Sequence, residues 1–89
     1  MKKLEEDAHV LIRMSKEMRG EQVINSVVIK TPEQPNQAHI WQTTKDDFFV
    51  VLKEKRRFIE FEHFNGRDAL NKARAFAKRF VLQPLSGAA

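Results

Sequence analysis

Phe48-Phe49-Val50-Val51-Leu52-Lys53-Glu54-Lys55-Arg56-Arg57-Phe58-Ile59-Glu60-Phe61-Glu62-His63 is the stretch whose reading decides the fold. Residues 48–53 and 58–63 are both strand-like, and a charged turn separates them. Pairing them as a hairpin with Lys55 and Arg56 at the tip sets Leu52 against Ile59, Val50 against Phe61 and Phe48 against His63. One face is then almost wholly apolar. The other holds Phe49, Val51, Lys53, Phe58, Glu60 and Glu62. A slip of one residue would turn every side chain to the opposite face, so pattern and register support each other. The turn lacks Asn-Gly chemistry, and a four-residue loop fits it as well as a two-residue one.

Working outward, residues 23–31 are rich in β-branched side chains and alternate as a strand does. Pro32 and Pro35 bracket a polar turn over 31–37, and 38–44, which holds Trp41, reads as a second strand. Lys45, Asp46 and Asp47 make a short polar turn before the hairpin. Residues 2–19 read as an amphipathic helix with Leu4, Ala8, Leu11, Ile12, Met14 and Met18 on one face. Glu5, Glu6 and Asp7 suit its positive end, Arg19 suits its negative end, and Gly20 is a natural stop. After the hairpin, Asn65 looks like an N-cap with Asp68 three residues on. The helix from 66 to about 82 aligns Ala69, Leu70, Ala73, Phe76, Ala77 and Phe80. Pro84 ends regular structure there.

The expected architecture is α+β: an N-terminal helix, three or four antiparallel strands and a C-terminal helix. With both helices on one face, this makes a two-layer sandwich. Residues 1–85 form a single small domain and 86–89 a flexible tail. The outer sheet face keeps Phe49, Val51 and Phe58, more apolar than a wet surface needs, so a partner or a second copy would cover it.

Charge is distributed unevenly over the 89 residues. Residues 53–82 carry nine basic and four acidic side chains, whereas residues 1–52 carry seven and eight. The excess therefore lies on the hairpin and the helix after it, where a polyanion would be met. Lys53, Lys55, Arg56 and Arg57 on a β-ribbon, with Arg67, Arg74 and Lys78 on the helix, are the candidate phosphate contacts. The competing reading is that hairpin tips and outer helix faces are charged because they are wet. Phe49, Phe58 and Trp41 would add base stacking if they faced solvent.

Apolar residues make up 42% and charged ones 31% of a chain with a net charge of +4, a balance that fits a folded domain. There is no cysteine, which excludes disulfides, a thiolate nucleophile and cysteine-ligated zinc, and fits a reducing cytoplasm. No apolar run approaches a membrane span, and the charged start lacks the apolar stretch of a signal peptide. His9, His39 and His63 lie on three different elements at no ligand spacing. Residues 60, 62 and 63 do not share a strand face, and Asp46 with Asp47 reads as a solvated turn pair. Without a nucleophile elbow or a glycine-rich phosphate loop, no catalytic residue, metal, cofactor or small-molecule substrate is expected.

In outline, strands followed by an amphipathic helix resemble the DNA-reading domains of AP2 type and integrase arm-binding modules. The run Phe64-Asn65-Gly66-Arg67-Asp68-Ala69-Leu70 with Ala73 and Ala77 is similar to their sheet-to-helix transition. The helix–strands–helix order also resembles double-stranded-RNA-binding domains. Those begin the last helix with a Lys-Lys-x-Ala-Lys pattern, where this chain has Arg67-Asp68-Ala69-Leu70-Asn71-Lys72. The functional expectation is a non-catalytic module that contacts nucleic-acid phosphates. The alternative is a protein–protein adaptor or inhibitor of phage or plasmid accessory type, or a homodimer through Phe49, Val51 and Phe58.

Overall fold

The computed structural model describes residues 2–83, with side chains from His9 onward. The chain runs α1 (Lys2–Met18), β1 (Asn25–Thr31), β2 (Gln34–Thr44), β3 (Asp47–Glu54), β4 (Arg57–Asn65) and α2 (Ala69–Val81). Its four strands form one antiparallel meander in the order β1-β2-β3-β4. The class and the helix–strands–helix order are those the sequence leads one to expect, with the strand count settled at four. The expected tail at 86–89, Pro84 and the side chains of Leu4, Glu5, Glu6, Asp7 and Ala8 lie outside the described residues.

The two helices do not share a face. Phe48, Val50 and Leu52 of β3 pack with Ala38 and Ile40 of β2 against Ala69, Ala73, Ala77 and Val81 of α2. Phe49 and Val51, pointing the other way, pack against Val10, Met14 and Met18 of α1. The arrangement is helix, sheet, helix: three layers rather than two. The physical reason lies in β3 itself, whose buried apolar side chains occupy both faces, so a cover is needed on each side. Alanines at three successive i, i+4 positions let α2 lie close to the sheet.

Helix α1 also turns slightly from its expected orientation. Val10, Met14 and Met18 are buried and Leu11 half-buried, while Ile12 is 53% exposed. At 100° per residue the first four span one arc, and Ile12 falls outside it. The helix ends as expected at Gly20 (φ 80), with Arg19 already left-handed at φ 57.

Three local expectations are corrected. Strand β2 starts at Gln34, so Pro35 lies within it, in an irregular stretch where the ladder with β1 jumps from Ile29↔Ala38 to Thr31↔Gln34. A proline is tolerated there because no regular ladder bond is asked of its nitrogen. The β3–β4 hairpin keeps the expected tip at Lys55-Arg56, with Glu54 paired to Arg57 and Lys53 to Phe58, and only its register beyond the tip is corrected. Beyond the tip Ile59 is bulged out, so Leu52 pairs with Glu60, Val51 with Phe61 and Phe49 with His63. Phe61 and His63 thus share a face with Phe49 and Val51, not with Val50. Finally, Asp68 rather than Asn65 occupies the N-cap position of α2, and it makes no side-chain cap bond. Asn65 ends β4, and its amide is used elsewhere.

Candidate functional site

Strand β4 returns from the hairpin tip to the far end of the sheet, and α2 then runs back toward the tip. Asn36 donates from Nδ2 to the carbonyl of Phe80 at 3.4 Å, and Asn36 pairs with Glu54. The last turn of α2 therefore lies over the tip end. Lys53, Lys55, Arg56 and Arg57 sit at that end by sequence, and the exposed Lys78 is brought there by the helix. Lys55 and Arg56 are exposed on the turn, where Lys55 takes φ 58. Lys53 is half-buried, with Nζ 5.5 Å from the centroid of the Phe58 ring, and Arg57 is half-buried beside Glu54.

The other two predicted contacts are elsewhere. Arg67 follows Gly66, whose N–H donates to the carbonyl of Asp46 at 2.9 Å at the opposite end of the sheet. The eight residues of β3 separate those ends by about 25 Å. Arg67 and Arg74 instead line one cleft of about 460 Å³ with Lys45 and β1. The seven cations therefore divide into a group of five and a group of two.

The outer-face candidates are not presented to a partner by the folded chain. Phe49 and Val51 are each 0% exposed beneath α1. Phe58 is half-buried, with His39 edge-on to its ring at a centroid distance of 5.7 Å. The apolar excess on that face is real, but the chain's own helix is its cover. Stacking of bases on Phe49 is closed off for the same reason.

A polar cluster that the sequence reading missed lies at the end away from the hairpin. Asp47 is buried and takes a hydrogen bond from Thr43 Oγ1 at 2.6 Å and from Asn65 Nδ2 at 2.8 Å, and lies 2.5 Å from His63 Nε2. Burial pushes the Asp47 carboxyl up, yet Thr43, His63 and Asn65 together outweigh it and hold it below the ordinary carboxylate range. The other ring nitrogen, His63 Nδ1, stands 3.3 Å from Glu17 Oε2 of α1, and the ring is stacked on Phe49 at 4.0 Å. These groups border an open cleft of about 790 Å³, also lined by Arg13, Lys16 and Arg19. The signal that would have found the cluster is the register: once Phe49 opposes His63, Asp47 must oppose Asn65. His63 thus bridges Asp47 of β3 and Glu17 of α1 through its two ring nitrogens. The cluster joins the β2–β3 turn, β4 and α1, which makes it a structural joint.

His9 is exposed, and His39 is half-buried with its basicity lowered by burial and then by Lys53. Among the described residues no group of three His, Asp or Glu side chains is arranged to hold a metal ion. No helix among them is long and apolar enough to cross a membrane. Comparison with protein-family models, with curated proteins and with solved structures returned no match, so the site is read from its own geometry.

Proposed function

We propose that this chain is a non-catalytic binding module that contacts nucleic-acid phosphates through the tip end of its sheet. The observation that carries the reading is the density of cations there: Lys53, Lys55, Arg56 and Arg57 within five residues that hold one acid, Glu54, with Glu33 of the β1–β2 turn at the same end. Lys78 reaches the same end on α2. Lys53 and Lys78 lie on opposite faces of the sheet, so the charges ring its end and the turn projects between them. Such a ring suits a phosphate backbone, which is bound by counterion release without base contacts. Arg67 and Arg74 take no part in this surface. A reducing cytoplasm is the compartment that best fits a chain free of cysteine.

Support for a non-catalytic reading comes from the polar cluster, whose histidine is held between two carboxylates rather than poised beside a nucleophile. The test is fluorescence anisotropy with a labelled duplex and a labelled single strand at low salt. Lys55→Glu with Arg56→Glu alters two exposed side chains and is expected to weaken binding by about tenfold or more. Arg67→Glu should leave it nearly unchanged. An affinity absent at low salt, or indifferent to the turn variant, overturns the proposal.

A further inference from the structure

The two edges of the sheet are treated differently. Edge strand β4 is blunted by the Ile59 bulge, by Glu60 and Glu62, and by an ion pair from Arg13 of α1 to Glu60. These are the usual means of keeping an edge from accepting another strand. Edge strand β1 has such devices only at its C-terminal end, where Lys30 and the ladder irregularity between Ile29 and Thr31 fall, while along 25–29 it carries no charge and Val27 is 48% and Val28 44% exposed. Among the described residues no strand pairs with its outer side, where alternate residues of 25–29 turn their N–H and C=O groups outward.

Beside this edge lies the cleft that Arg67 and Arg74 share. Its floor is Val27 and Ile40, and its far wall is the flank of α2 carrying Leu70 and Arg74. Among the described residues neither guanidinium has an ion-pair partner. Lys45 adds a third cation to the lining and Asp46 one opposing charge. A strand laid along β1 would place every second side chain against this wall. The intervening side chains would lie beside Val28 on the other face of the sheet.

We propose that this groove accepts an extended acidic segment of a partner protein as a fifth strand, with acidic side chains at alternate positions facing Arg67 and Arg74. Main-chain pairing supplies the affinity and the two arginines the selectivity. A second copy of the chain is the poorer occupant. Pairing β1 with itself about a two-fold axis brings the same cationic flank of each α2 toward the other, and β1 offers no carboxylate in exchange. The site is distinct from the hairpin tip and does not depend on the phosphate reading.

The probe is a fluorescein-labelled peptide of alternating Glu and Val, capped at both ends, compared with its Gln-for-Glu counterpart. Saturable binding of the acidic peptide is expected, with the Gln form about tenfold weaker. Arg67→Glu with Arg74→Glu should weaken the acidic peptide by about the same factor, whereas Lys55→Glu with Arg56→Glu should not. Methylating alternate peptide nitrogens gives two forms, and only the one whose methyls face β1 should lose binding. The proposal is overturned by equal binding of the Glu and Gln peptides or by equal binding of the two methylated forms. It is also overturned by an oligonucleotide that displaces the peptide through Arg67 and Arg74, or by a dimer that Val28→Glu dissolves while no peptide binds.

Discussion

Asp47 shows how much one side chain holds together here. Itself buried, it accepts from Thr43 at the end of β2 in a buried bond, and from Asn65 at the end of β4 and from His63 in part-buried ones. Asp47→Asn keeps an acceptor oxygen but loses the charge that strengthens all three bonds, so it should cost about 1–3 kcal/mol of stability in urea unfolding. The pH dependence has a definite sign. The folded carboxyl titrates lower than it would in the unfolded chain, so its contribution is complete above the ordinary aspartate value of about 3.9 and is lost as pH falls through the folded value. Urea midpoints of the parent should therefore fall more steeply on acidification below pH ~4 than those of Asp47→Asn. Parallel acid limbs for the two proteins would contradict this account of the cluster.

At the scale of elements, what was legible in the sequence was the set of local patterns. Acidic residues, a 3.6-residue period and Gly20 define α1, the alanine ladder defines α2, and the charged run between two apolar runs defines the hairpin. What was not legible depended on tertiary choices. Phe48, Phe49, Val50 and Val51 are apolar on both faces, so nothing local says which helix covers which side. The Ile59 bulge cannot be read from a pattern in which Ile59 and Phe61 look interchangeable, and it moves most of the β4 register by one. That shift hid the His63–Asp47 pair as well. The two registers make opposite claims about Ile59 and Phe61, which unfolding can separate. Ile59→Lys should cost less than about 1 kcal/mol, because the side chain is 37% exposed at the bulge and a lysine stem can cover the same surface with its charge in water. Phe61→Ala should cost about 2–3 kcal/mol, because its ring packs against Phe49 and beneath α1. Reversal of that order would restore the unbulged pairing.

Over the whole molecule, about 37 × 31 × 18 Å, the direction of α2 determines how the positive charge is shared out. The run 53–57 was legible as a cluster because its members are contiguous. The division of the helix cations was not, since it follows from where β4 ends and which way α2 returns. Lys53, Lys55, Arg56, Arg57 and Lys78 sit at one end of the sheet, while Arg67 and Arg74 line a groove beside β1 with Lys45 and Asp46, so the seven candidate cations are split between two places. The proposed division of labour gives the first to phosphates and the second to an acidic strand.

Gathering of Lys53, Lys55, Arg56, Arg57 and Lys78 into a single phosphate-binding end is tested most directly by the salt dependence of duplex affinity. Engagement of four or five phosphates predicts a slope of log affinity against log salt of about −4, reduced in magnitude by about 2 in Lys55→Glu with Arg56→Glu. A slope near zero, or one that the turn variant leaves unchanged, would contradict it.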